Sequence, residues 1–363
     1  MKLGLALSIG ESFTDLKLHG QDVLVRDQNV KAYSQEFEKV YVFSYGNEKY
    51  PLFKNNRLAV NKHGIHRYIY AFLMPIIHSK EFKDCDVLRG FQTTGGIPCV
   101  VAKLLFGTPF VVNYGYDYES IAKIEGSLIK SFFYKIVNLI VLKTANTVIV
   151  TNPAFIKKIK EIGAKSVVLI PNSVDTALFI PKKKITTSKI KEIVFIGRLE
   201  PQKNIVKLLK ALVKIKYPYR LKIIGRGSQK KYLQKYAQNY KLNVTFTDSV
   251  AHDKLPAVLQ SADLYVLPSL LEGHPKSLLE AMSTGVPCLG TDVEGINDLL
   301  QNEKTGILVG TESADIKSGI EKILSDPKLA SKIGSNAREF TKAHFNASIL
   351  LSKEIKLLKS QAK

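Results

Sequence analysis

The chain has 363 residues, 45% of them hydrophobic and 23% charged, with a formal net charge of +21. That length exceeds one small core and fits two domains of ordinary size, and the composition excludes a disordered, collagen-like or disulfide-stapled chain. The charge predicts attraction to something anionic (nucleic acid, an acidic membrane surface or phosphorylated ligands), but solvated helix faces would also account for it, because lysines such as Lys157, Lys158 and Lys160 are spread along the chain rather than gathered in a tail.

The opening MKLGLALSIGES carries an apolar run about one strand long, closely followed by Glu11 and Asp15, and reads as a first strand rather than a secretory leader. Short β-rich runs then alternate with helical patterns: LGLALSI from Leu3, VYVFSY from Val40, DVLRGF from Asp86, PFVVNY from Pro109, NTVIVTN from Asn146 and SVVLIPN from Ser166. This alternation predicts a parallel sheet wrapped by helices. Within this half, Lys62, His63, His66, Arg67, Tyr68 and Tyr70 crowd around the start of AFLMPII, a basic and aromatic cluster that would suit a lipid-linked or membrane-surface acceptor. The stretch from Ser127 to Ala145 is apolar but broken by Lys130, Lys135 and Asn138, and no uninterrupted run reaches the ~20 residues needed to span a bilayer. It reads as a buried or amphipathic helix, or as one lying on an anionic membrane surface. Cys85, Cys99 and Cys288 form no CxxC pair and have no histidine at ligand spacing, which predicts buried free thiols in a reducing compartment. The expected location is cytoplasmic, peripheral on the inner face of the cell membrane if the surface reading holds.

DTALFIPKKKITTSKIKE is polar and aperiodic and sets the expected domain boundary near residues 180 to 190, giving domains 1–180 and 181–345. A second series follows: EIVFIGRL from Glu192, RLKIIG from Arg220, NVTFTD from Asn243, LYVLPS from Leu264, VPCLGTD from Val286 and TGILVG from Thr305. After Thr311 the pattern is helical. Pro327 opens one helix, and a last helix over 346–363 must pack outside the second sheet. The fold class is therefore α/β, with two Rossmann-like doubly wound domains facing a central cleft that lies beyond the carboxyl ends of their strands.

The residues that could carry chemistry follow strands of the second series. Gly197-Arg198-Leu199-Glu200-Pro201-Gln202-Lys203-Asn204 brings two cations to a strand end and a helix N-terminus, where they can converge on a phosphate or pair with nearby carboxylates. Gly225-Arg226-Gly227-Ser228 is a Gly-rich turn that could touch a ligand or serve only as a turn. In Glu272-Gly273-His274-Pro275-Lys276-Ser277, Gly273 and Pro275 suit a turn running into a helix, the amides of Lys276 and Ser277 would face the cleft, and Glu280 lies one helical turn past Lys276. The Glu272 and Glu280 carboxylates could accept vicinal sugar hydroxyls, act as a general acid and base across a glycosidic bond, or be ordinary solvated residues. The cations beside them favour a diphosphate, and so a nucleotide sugar over a plain glycan.

GRLEPQKN, EGHPKSLLEAMSTGVPCLGTD and the later TGILV resemble the retaining GT-B glycosyltransferases that carry an E-x7-E signature, family 4 in the usual grouping, and Pro171-Asn172-Ser173-Val174-Asp175 resembles that family's PNGVD turn with serine in place of glycine. The resemblance implies that Arg198 and Lys203 hold the donor diphosphate, Glu280 the ribose hydroxyls, and Glu272 the hexose hydroxyls with help from amides after Gly273. Gly197, Gly225, Gly227, His274, Pro275, Lys276 and Ser277 would complete the donor site, with no metal and no cofactor. The last helix would cross back to brace the first domain. In the first half the family's glycine pair and histidine are replaced by Ser8-Ile9-Gly10-Glu11-Ser12 and Tyr114-Gly115-Tyr116-Asp117, leaving Gly10, Tyr114, Tyr116 and Asp117 as candidate contacts. The implied reaction moves a hexose from a nucleotide diphosphate sugar to a glycan or lipid-linked acceptor. The alternatives are a GT-B sugar-nucleotide epimerase and a non-catalytic sugar-nucleotide binder. No helix-turn-helix, zinc-finger or RNA-recognition signature is present, so no nucleic-acid partner is expected.

Overall fold

The computed structural model describes residues 1–181 and 189–363, so Lys182, Lys183 and Lys184 of the expected linker lie outside the described residues. The chain forms two compact units, Met1–Pro171 with Ser348–Lys363, and Asn172–Ala347.

The first unit holds β1 (Lys2–Ala6), β2 (Lys39–Phe43), β3 (Asn56–Ala59), β4 (Val87–Gly90), β5 (Phe110–Tyr114), β6 (Thr147–Val150) and β7 (Val167–Leu169). They form one parallel sheet in the order β3-β2-β1-β4-β5-β6-β7. β1, β4 and β6 are buried almost throughout, as strands covered on both faces should be, and their apolar sequences announce it. β3 has no such run. Its Asn-Arg-Leu-Ala sequence suits a half-exposed edge, and it is the one strand of this sheet that the sequence pattern leaves out.

The second unit holds β8 (Lys191–Ile196), β9 (Tyr219–Ile224), β10 (Val244–Thr247), β11 (Leu264–Leu267), β12 (Cys288–Thr291) and β13 (Ile307–Val309). They form a parallel sheet in the order β10-β9-β8-β11-β12-β13, the topology of the first sheet over again. In both sheets the strand order reverses beside the unit's first strand, so the loops after β1 and β4, and after β8 and β11, flank the places where such sheets bind ligands. All three cysteines are free and buried.

The division falls at Pro171, ahead of the expected 180–190 boundary, because residues 172–181 are fastened to the second unit. The Arg338 guanidinium donates to the carbonyls of Thr176 and Phe179, at 2.9 Å each, and the Val174 amide donates to the Phe345 carbonyl.

The last helix, Ala347–Gln361, runs into the first unit. Its Glu354 is buried and accepts from Arg89 Nε at 2.6 Å and from the Tyr33 hydroxyl at 2.7 Å, both on the same oxygen. At the surface, Lys359 pairs with Glu36 at 2.6 Å. Among the described residues no helix is long and apolar enough to cross a membrane.

Candidate functional site

The loop after β8 is locked to the loop after β9. The Leu199 amide donates to the Arg226 carbonyl at 2.7 Å and the Gln229 amide to the Leu199 carbonyl at 2.9 Å. A Cβ at Gly225 would stand 1.8 Å from the Gly197 oxygen, and one at Gly227 2.4 Å from the Leu199 oxygen. Both glycines are thus required by this close backbone approach, whatever else they meet. Glu200 completes the lock by accepting from the Ser228 amide at 2.9 Å and from its hydroxyl at 2.5 Å.

Arg198 leaves this locked loop exposed, and the surrounding protein lowers its pKa by desolvation while Glu200 and Glu272 pull the other way. The chain then makes the short 3-10 turn Pro201–Lys203 before the helix Ile205–Val213. The turn is clamped to the loop after β11: the Leu270 amide donates to the Gln202 carbonyl at 2.8 Å, and the Gln202 side chain donates to the Leu271 carbonyl. This clamp carries Lys203 inward, where its buried ammonium meets Glu272 Oε1 at 2.5 Å. Ser269 donates its hydroxyl to the same oxygen at 2.6 Å. Oε2 of Glu272 makes no hydrogen bond among the described residues and is open to another donor.

The turn Glu272-Gly273-His274 is pressed against Gly295, where φ is +83° and a Cβ would lie 2.3 Å from the Glu272 carbonyl oxygen. Pro275 is the N-cap of the helix Lys276–Ser283, one position before the first turn expected for it. The first amides of that helix have no preceding helical carbonyl to bond. His274 turns its ring into buried surroundings against Phe345, at 5.3 Å, and burial, reinforced by the Lys276 cation, lowers its pKa to about 3. Its Nδ1 has no hydrogen-bond partner among the described residues.

Glu280 is buried on the same helix and meets Nε2 of His252 at 2.9 Å. His252 is itself buried, with its ring edge-on to Phe179 at 5.2 Å. Sequence reading missed His252 because it is a lone histidine in the polar stretch after β10, in no motif. Tyr265 on β11 is buried and donates its hydroxyl to Ser277 Oγ at 2.8 Å; burial pushes its pKa well up, Ser277 opposing, with the charges of Cys288, Glu272 and Glu280 adding to the rise.

In the first unit, Gly10 follows β1 at a φ of +76°, and a Cβ there would reach within 2.7 Å of the Arg67 side chain. Next to it Glu11, absent from the sequence-based candidates, has its pKa raised by burial. Tyr114 ends β5 buried, its ring edge-on to Phe155 at 5.0 Å, and Tyr116 packs edge-on to Tyr118 at 4.7 Å. Asp117 caps the helix Tyr118–Ile124 by accepting from the Ser120 amide at 3.2 Å and hydroxyl at 2.7 Å, and pairs with Lys158 at 2.5 Å. Burial resists its ionisation, but Lys158 and Ser120 prevail and its pKa falls. Asp117 is thus engaged in a cap and an ion pair. Among the described residues, no three of the histidine, cysteine, aspartate and glutamate side chains are grouped to hold a metal ion.

A model of the family described as "Glycosyl transferases group 1" matches residues 178–340. Over 286 residues the chain is 31% identical to the UDP-Gal:alpha-D-GlcNAc-diphosphoundecaprenol alpha-1,3-galactosyltransferase of Escherichia coli, covering 72% of each chain. Over 211 residues it is 30% identical to a GDP-mannose-dependent alpha-(1-6)-phosphatidylinositol monomannoside mannosyltransferase of Mycobacterium tuberculosis, covering 52% of this chain and 55% of the other. Among solved structures, sucrose-phosphate synthase from Thermosynechococcus elongatus superposes with a TM-score of 0.86 at 21% identity, covering 99% of this chain and 98% of that one.

Proposed function

The chain belongs to the group 1 glycosyltransferases and has their GT-B fold, and from that premise we propose that it moves a hexose, with retention and without a metal, from a nucleotide diphosphate sugar to a glycan or lipid-linked acceptor. One observation carries the reading: Lys203 and Glu272, 69 residues apart, meet beside Arg198 at the carboxyl ends of β8 and β11, with a helix N-terminus alongside. Cations and the amides at a helix N-terminus fit phosphate oxygens, while carboxylates fit vicinal hydroxyls, and a nucleotide diphosphate sugar carries both.

In this reading Arg198 and Lys203 hold the diphosphate and stabilise its negative charge as the anomeric C–O bond breaks, the largest catalytic effect available to the site. The amides of Lys276 and Ser277 add the positive end of the helix. Glu280, held in place by His252, accepts the ribose hydroxyls. Glu272 accepts hexose hydroxyls through Oε2, with the amides after Gly273 assisting. The acceptor oxygen attacks from the face the diphosphate leaves, and the departing phosphate takes its proton, so no protein base is required. The names of the Escherichia coli and Mycobacterium tuberculosis relatives both specify lipid-linked acceptors, which supports the same class here.

The first test is a thermal-shift screen against UDP-, GDP-, ADP- and dTDP-sugars, since a ligand of the native state raises its apparent stability. A shift with one base, absent in Glu280→Ala, is expected. Lys203→Ala and Glu280→Ala should each lose roughly tenfold to a hundredfold of transfer, about 1.5 to 3 kcal/mol for a charge-assisted contact, with circular dichroism unchanged. Full activity in both variants would overturn the donor-site assignment. A product with the anomeric configuration of the donor, formed equally well in excess chelator, tests retention and metal independence.

A further inference from the structure

Three neighbouring helices of the first unit turn large apolar side chains outward. The helix Arg67–Ile77 buries Tyr70, Ala71 and Met74 but exposes Ile69, Phe72 and Ile76 at helical spacing, each more than half accessible. The helix Leu128–Thr144 buries Val137, Val141 and Leu142 and exposes Ile129, Phe132, Ile136 and Ile140, with Ile129 87% and Phe132 66% accessible. Between them the helix Gln92–Phe106 packs against both and ends on exposed Leu104 and Leu105. An edge-on contact at 5.6 Å joins Tyr68 on the first helix to Phe133 on the third. More than half of the exposed large apolar side chains among the described residues lie on these three helices, a concentration that marks a binding surface rather than scattered exposure.

The charge on these helices selects the partner. None of the three contains an aspartate or a glutamate, whereas Arg67, Lys130, Lys135 and Lys143 stand exposed among the apolar side chains with no ion pair among the described residues. A second copy of the chain would bring cations against cations across a two-fold contact. Nucleic acid would meet the cations and leave the isoleucines and phenylalanines unused. A bilayer leaflet rich in anionic phospholipid satisfies both components, with headgroup phosphates for the lysines and the acyl boundary for the apolar stripe.

We propose that this three-helix face of the first unit, centred on Ile69, Phe72, Phe132 and Ile136, docks the protein onto an anionic phospholipid surface without spanning it. Long lysine side chains can lie along the stripe and still place their ammonium groups among the phosphates. The proposal needs neither donor nor acceptor, and none of its residues belongs to the donor site.

The test is co-sedimentation of the full chain with vesicles of phosphatidylcholine alone and of equal parts phosphatidylcholine and phosphatidylglycerol. Binding is expected to the mixed vesicles at low salt, to weaken at high salt, and to be much weaker with phosphatidylcholine alone. Lys130→Gln and Lys135→Gln should each weaken it roughly fivefold. Phe132→Glu with Ile136→Glu should weaken it more than about tenfold while the melting temperature is kept, since both side chains are exposed. No binding to the mixed vesicles at low salt, equal binding to both vesicle types, or undiminished binding by the double glutamate variant would each overturn the proposal. Self-association that the double variant abolishes, without vesicle binding, would assign the face to a second copy instead.

Discussion

The buried imidazole of His274, with a pKa near 3, sits where an unfolded histidine would titrate near 6.5, so across that interval the unfolded chain binds a proton that the folded chain refuses. Because the folded pKa is the lower one, stability is complete above about pH 6.5 and falls as the pH drops, by at most ~1.4 kcal/mol per pH unit for one proton. His274→Phe keeps an aromatic ring against Phe345 and removes both the proton site and the unpartnered Nδ1. Its melting temperature is expected to exceed that of the native chain by more at about pH 5 than at about pH 8. Equal differences at the two values would mean that His274 is not the titrating group. His78, whose pKa burial also lowers, keeps its own share of the acid sensitivity in the variant. Arg198, Lys203, Glu272 and Glu280 could be picked out in the sequence because each stands in a short segment whose chemistry is local. Spacing along the chain did not disclose which of them meet, nor that a solitary histidine, His252, reaches Glu280.

At the scale of elements, strands announce themselves when both faces are covered, since Val, Ile, Leu and Phe then run together, as in β6 and β11. β3 escapes notice because an edge strand with one half-exposed face needs no such run. The last helix is legible as a helix, but its partners are not: Arg89 lies in a strand and Tyr33 in an early helix, and no periodicity links either to Glu354. Glu354→Leu would leave the buried Arg89 guanidinium without its counter-charge and the Tyr33 hydroxyl without its acceptor. A loss of about 3–5 kcal/mol is expected, read as a lower urea midpoint by circular dichroism. Adding Arg89→Met should recover much of it, because a matched apolar pair is tolerated where a lone buried charge is not. If the double variant is as unstable as the single one, the ion pair is not what fastens the helix.

Over the whole molecule, a net charge of +21 means that folding concentrates like charge, and the repulsion opposes the compact state. Salt shortens the reach of that repulsion, from roughly 30 Å at 0.01 M to about 8 Å at 0.15 M. The melting temperature is therefore expected to rise between those concentrations of sodium chloride, and a fall would show that attractive pairs outweigh the net repulsion. A different consequence follows from the contact between Arg89 and Glu354, which are 265 residues apart. During synthesis at ~5–20 residues per second, Arg89 is added to the chain roughly 13 to 53 seconds before its partner is. The whole second unit is made in that interval, so the half of the protein that is translated first is completed last, and a nascent chain stalled anywhere before Glu354 presents quality-control proteases with a first unit still lacking the counter-charge of its core.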